Sequence, residues 1–96
     1  MSEEWPTDVQ AAIEWHHEAE VAALEAKRQL EERERILYAQ ELIHIPETDY
    51  AWRREAAKPR VAAQLGEERA GVDRWDLEQA KRHRWLVYLV GKESLR

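Results

Sequence analysis

Residues 8–44 read DVQAAIEWHHEAEVAALEAKRQLEERERILYAQELIH, and this stretch decides the fold class. It contains no glycine or proline, and most of its positions hold good helix formers such as Ala, Glu, Gln, Arg, Leu and Lys. Thr7 and Gln10 have the spacing of a capping box at its start. Pro46 lies just beyond its end, where proline disfavours the α conformation of the preceding residue. The stretch therefore predicts one helix over 8–44, about 55 Å long at a rise of about 1.5 Å per residue.

The apolar seam of this helix is thin. Its members follow a spacing of three and four residues, and alanines dominate its middle. Alanine lets another backbone approach closely, but it buries little apolar area. A helix of about ten turns with so thin a seam needs another element along its length. We therefore expect the second half of the chain, or a second copy, to pack against it.

The second half of the chain is divided by prolines and glycines into shorter helical segments. We expect these segments at 48–57, 59–65 and 72–90, within a single all-helical domain that spans residues 1–96. Two arrangements fit. In the first, residues 49–90 form one kinked arm that returns along the first helix, and this helical hairpin forms a four-helix arrangement on dimerisation. In the second, the segments form a compact lobe and the long helix is an arm. Three-and-four spacing of apolar residues over most of 50–89 favours the first.

Composition excludes several classes of protein and site. The chain has 96 residues and no cysteine, which excludes disulfides, thiolate metal sites and a cysteine nucleophile. Hydroxyl residues are few and lie near chain ends or caps, and no glycine-rich phosphate loop is present. No apolar run reaches the roughly 20 residues of a membrane span, and the start MSEEWP does not resemble a signal peptide. We expect a cytoplasmic protein that is not an enzyme, needs no cofactor and does not bind membranes.

Charge is distributed unevenly between the halves. The formal net charge is −5, but residues 1–46 carry four basic and eleven acidic residues, whereas residues 47–96 carry eleven basic and nine acidic ones. The first half would repel a polyanion, and the second half is able to contact phosphate. Two helical layers of opposite charge that pack on each other explain the same asymmetry.

The sequence VAAQLGEERAGVDRW at 61–75 resembles a helix-turn-helix motif. Ala62 and Leu65 precede Gly66, which would permit a left-handed turn, and Val72 and Trp75 occupy inward positions of the following helix. In DNA-binding members of that class the second helix enters the major groove. The resemblance implies a DNA-binding alternative that uses the stretch 61–76, with basic contacts from Arg69, Arg74, Lys81, Arg82 and Arg84.

Two histidine–carboxylate pairs suggest a weaker alternative, a metal-binding helical bundle. Glu14 and His17 are three residues apart, as are Glu41 and His44, so each pair shares one helix face. Such pairs donate ligands to iron or zinc in helical bundles. Sixteen glutamates make the spacing common, so the sequence does not favour a metal site over surface histidines.

The segment RWLVYLV at 84–90 gives the strongest indication of function. It is apolar on nearly all sides, and a two-helix hairpin cannot cover it. Tryptophan, present five times, is enriched at interface hot spots. We therefore expect a structural or regulatory role through protein–protein contacts, with another protein or in a homo-oligomer, most simply a dimer. The expected anchors are Trp75, Trp85, Leu86 and Leu89, with Val9, Ile13 and Leu37 opposite.

Overall fold

The computed structural model describes residues 4–44 and 50–95, and that part of the chain consists of three α-helices without strands. Helix α1 is Val9–His44, α2 is Tyr50–Gln64 and α3 is Gly66–Ser94. The expected all-α class, with a long first helix and an interrupted returning arm, is confirmed. The chain divides into two compact units: Met1–Glu25 with Asp73–Arg96, and Ala26–Val72.

The long helix starts at Val9 because Asp8 caps it. The backbone N–H of Ala11 donates to Oδ2 of Asp8 at 3.2 Å, and the N–H of Ala12 donates to the Asp8 carbonyl at 2.9 Å. A carboxylate at this position also interacts favourably with the positive end of the helix dipole. The capping residue is therefore Asp8, and the expected capping box of Thr7 and Gln10 is wrong.

Proline does not end the second helix. Pro59 lies inside α2, so the expected segments 59–65 and 48–57 are not separate over the residues described. An interior proline removes one helical hydrogen bond. Its ring lies on the exposed side, while Ala57 and Val61 on the opposite side are 0% and 1% exposed. Packing of that buried face keeps the helix continuous. Residues 48 and 49 lie outside the described part.

A single residue, Leu65, separates α2 from α3. Its N–H donates to the carbonyl of Ala62 at 3.3 Å, and its own carbonyl accepts from the N–H of Arg69 at 2.9 Å. No described glycine has a positive φ, so the left-handed turn expected at Gly66 is wrong. Helix α3 begins at Gly66 rather than at 72. The three- to four-residue turn of a helix-turn-helix motif is therefore missing between these two helices.

The second unit has a small aliphatic core. Leu37, Val61 and Leu65 are each at most 1% exposed, and Leu30 and Tyr38 pack against them. Glu41 accepts a hydrogen bond from Nε2 of Gln64 at 3.1 Å, and Arg33 lies 3.7 Å from Glu68. Since later α1 residues contact earlier residues of the returning segment, the two run antiparallel within this unit.

The first unit is packed around alanines. Ala12, Ala19 and Ala23 of α1 are at most 2% exposed, and on α3 the buried residues are Leu89 and Arg82. The spacing of the three alanines confirms the thin seam that the sequence predicts on this helix. Small side chains allow the two helix backbones to approach closely, so larger side chains at the edge of the contact have to fill the remaining space.

Replacing Gly71 with alanine should raise the free energy of unfolding by about 0.5–1 kcal/mol, because alanine restricts the unfolded chain and favours the helix. Gly71 lies inside α3, and a Cβ there would meet no neighbouring atom within 4 Å. Urea denaturation followed by circular dichroism measures the change. A lower free energy of unfolding for Gly71→Ala would contradict a helical Gly71.

Candidate protein-contact surface on α3

Aromatic rings join the start of the chain to α3 in the first unit. Trp85 donates its Nε1–H to the carbonyl oxygen of Pro6 at 2.6 Å. The ring of Trp5 lies 5.0 Å from that of Trp85 and 5.7 Å from that of Trp15, measured between centroids. The Nζ of Lys81 lies 5.3 Å from the Trp5 ring centroid, within cation–π distance. Three of the five tryptophans therefore stabilise the fold itself.

Arg82 is a buried arginine between α1 and α3, 9% exposed. Its Nη1 donates to the carbonyl oxygen of Trp15 at 2.7 Å, and its Nε donates to Oε1 of Glu78 at 2.9 Å. The guanidinium carbon lies 4.7 Å from the centroid of the Trp15 ring, and Oε2 of Glu18 is 3.8 Å from Nη1. The partners of the Arg82 guanidinium therefore lie within the first unit. The DNA-binding alternative instead assigns this side chain to a phosphate contact.

The remaining basic residues of that alternative do not form one patch. Nζ of Lys81 lies 2.9 Å from Oε2 of Glu78, so its charge is paired. Arg69, Arg74 and Arg84 are exposed. Acidic residues lie between and beside them on α3, including Asp73 and Asp76, and the surface is electrically mixed.

The carboxyl group of Glu78 is held in its ionised form. Burial raises its pKa, but hydrogen bonds from Lys81 and Arg82, and their positive charges, lower it by more, so the pKa lies below its ordinary value of 4.5. A carboxyl whose pKa is lower in the folded state stabilises the fold above its unfolded pKa. This contribution disappears as the pH falls through the folded pKa.

Glu78→Gln should therefore destabilise the protein near neutral pH, and the difference from wild type should shrink as the pH falls below about 4.5. The measurement is the free energy of unfolding in urea at several pH values between neutral and acid. Glu93→Gln, at an exposed position of the same helix, is the matched control. A difference for Glu78→Gln that is constant with pH would contradict the role given to this ionised carboxyl.

The outer side of α3 carries large apolar residues in solvent. Leu77 is 73% exposed, Val87 57%, Tyr88 54% and Leu95 89%. Ala80, Arg84 and Gly91 are exposed between them. We call the set Asp73, Leu77, Ala80, Arg84, Val87 and Gly91 the α3 stripe, since its members are separated by four, three, four, three and four residues. This alternation keeps them on one face of the helix.

The seven anchors that the sequence predicts are not gathered on this surface. Leu89 is 5% exposed and faces into the first unit, whereas Leu37 is 1% exposed in the core of the second. Val9, Trp75, Trp85 and Leu86 are half-buried, and Ile13 is 44% exposed. The predicted residues of α3 mostly form the inward side of the helix. The exposed stripe was missed, although its alternating spacing is visible in the sequence.

The histidine–carboxylate pairs lie in different units. Glu14 and His17 are exposed on the part of α1 that belongs to the first unit, and His44 is exposed at the end of α1 in the second. Glu41 is already bonded to Gln64 and lies 3.5 Å from Arg60. Over residues 4–44 and 50–95, no three His, Asp or Glu side chains are placed so that they could hold a metal ion.

None of the described helices has an apolar stretch long enough to span a lipid bilayer. Comparisons of the chain with protein-family models, curated proteins and solved structures found no match in any of the three.

Proposed function

We propose that this protein acts through protein–protein contacts in a structural or regulatory role in the cytoplasm, and that it self-associates through the α3 stripe. One observation carries the proposal: Leu77 and Val87 of the stripe, and Tyr88 beside it, are each more than half exposed on one side of a single helix. Exposed apolar surface of this kind marks interaction sites in folded proteins.

The exposed side chains supply apolar surface that association would bury. Fully burying one large apolar side chain is worth about 1.5–3 kcal/mol. In a symmetric dimer each copy buries the same apolar side chains, so this free energy is gained twice. It acts against the cost of association, which is roughly 4–15 kcal/mol. Leu95, at 89% exposure, lies beyond the stripe at the end of α3 and extends the apolar surface.

DNA binding receives less support from this geometry. Phosphate binding needs several basic side chains that are free to contact the backbone. Arg82 is buried against Trp15 and Lys81 is paired with Glu78, which leaves Arg84 as the exposed arginine of the 81–84 tract. The acidic residues beside the stripe oppose a polyanion.

The solution mass tests the proposal. Wild type should have a mass above the 11.4 kDa of one chain in size-exclusion chromatography with light scattering, and Val87→Glu should have the mass of one chain. A buried glutamate at this position would lose its hydration, so it opposes association. Val21→Glu is the matched control, because Val21 is 52% exposed on α1 and lies outside the stripe.

Circular dichroism should show that both variants keep their helix content, and this readout separates loss of association from loss of fold. A wild type that has the mass of one chain over the whole accessible concentration range would refute self-association. Equal masses for wild type and Val87→Glu would place the contact elsewhere.

A further inference from the structure

We infer that α3 pairs in antiparallel orientation with α3 of a second copy, with the twofold axis at the level of residue 82. This inference rests on the proposed function and specifies its partner, its orientation and its register. The partner is a second copy of the same chain, because the side-chain sizes and charges along the stripe match those of an identical stripe that runs in the opposite direction.

The spacing of the stripe defines the register. Its intervals of four, three, four, three and four residues are the same in both directions. When two such helices run antiparallel about residue 82, Asp73 faces Gly91 of the second copy, Leu77 faces Val87, and Ala80 faces Arg84. Alternation of three and four residues is the seam of a coiled coil, which keeps these positions in contact along the helices.

Side-chain size fits this register. Leu77, 73% exposed, meets Val87, 57% exposed, and the twofold axis repeats this contact. Ala80 and Gly91 are small and exposed, and a Cβ at Gly91 would meet nothing within 4 Å beyond its chain neighbours and the adjacent helix backbone. The aliphatic part of Arg84 can therefore lie over Ala80 of the second copy while its charged end remains at the edge of the contact.

The charges select the antiparallel orientation. Exposed Asp73 and Asp76 lie at the N-terminal end of the stripe, and exposed Arg84 lies towards its C-terminal end. In the antiparallel register Arg84 is one helical turn from Asp76 of the second copy. A parallel pair would place Arg84 against Arg84 and Asp73 against Asp73, and like charges across an interface oppose association.

Cysteine cross-linking tests the register, since the natural chain has no cysteine. Asp73→Cys and Gly91→Cys are mixed in equal amounts in a thiol–disulfide exchange buffer, and the disulfide-linked dimers are identified by mass spectrometry. The ratio of the mixed disulfide to either symmetric disulfide should be several-fold higher than the ratio that random pairing gives. Asp73→Cys mixed with Glu93→Cys is the control, because Glu93 lies on the other side of α3 and should give no enrichment.

Charge exchange gives a second readout. Arg84→Glu and Asp76→Lys should each shift the solution mass towards that of one chain, because each creates two like-charge contacts in the dimer. An equal mixture of the two variants should regain the wild-type mass, since every contact then joins opposite charges. Circular dichroism of each variant verifies that the helices are retained.

The outcomes separate this inference from the proposed function. If the wild type is oligomeric but the cysteine variants give mainly symmetric disulfides, or a mixed disulfide no more abundant than in the control, the antiparallel pairing is overturned while self-association stands. Unchanged masses for both charge variants would overturn it as well. A wild type with the mass of one chain would remove the proposed self-association and this inference together.

Discussion

Leu65→Ala should lower the free energy of unfolding by about 2–5 kcal/mol, the range for removing a buried leucine side chain from a core that cannot fully collapse. Leu65 is 0% exposed and belongs to a core of three buried residues in the second unit. It also occupies the one position between α2 and α3, so its burial fixes the point at which the helix is interrupted. A domain of this size has a total stability of about 5–15 kcal/mol, so the loss is a large fraction of it.

Urea denaturation followed by circular dichroism measures this loss. Leu24→Ala is the matched control, because Leu24 is 68% exposed and should change the free energy of unfolding by no more than about 0.5 kcal/mol. Leu65→Met keeps the volume and should cost less than about 1.5 kcal/mol. If Leu65→Ala were no more destabilising than Leu24→Ala, the core of the second unit would not be the one described.

The long helix shows what local sequence determines. Helix formers without glycine or proline predict α1 to within one residue of its start, and its end at His44 agrees as well, although the capping residue is Asp8 rather than Thr7. Pro59 and Gly66 show the opposite case. Both residues disfavour a helix locally, yet α2 passes through one and α3 begins at the other. Burial of Ala57, Val61 and Leu65 determines where these two helices begin and end. Such tertiary contacts cannot be predicted from the local pattern of a single sequence.

The candidate contact surface was predicted only in part. The sequence predicts that the segment 84–90 is too apolar for its own hairpin to cover, and Val87 and Tyr88 are indeed more than half exposed. The predicted anchors on α3 lie on its inward side, because residue size and apolar character do not tell which side of the helix its own chain covers. Arg82 shows why the buried face of α3 is difficult to predict. The sequence places this residue among the phosphate-binding candidates, although it is buried. Its spacing of four residues from Glu78 and from Leu86 was the available signal that it lies on the inward side of α3.

Arg82→Ala should lower the free energy of unfolding by about 3 kcal/mol. The substitution removes hydrogen bonds to the Trp15 carbonyl and to Glu78, and the contact with the Trp15 ring. Hydrogen bonds that involve a charged group contribute about 1.5–3 kcal/mol each. The alanine also leaves space between α1 and α3, because the aliphatic part of Arg82 packs there at 9% exposure.

Arg82→Met separates packing from charge. Methionine fills much of the same space without a buried charge, and replacing buried ionic groups by apolar side chains of similar volume is often close to neutral. Glu78 keeps Lys81 as a partner at 2.9 Å in this variant, so its carboxylate is not left unpaired. We therefore expect Arg82→Met to recover at least half of the stability that Arg82→Ala loses. Equal losses in urea denaturation would mean that the hydrogen bonds of Arg82, rather than its volume, join α1 to α3 in the first unit, whereas no loss for Arg82→Ala would contradict the buried arginine itself.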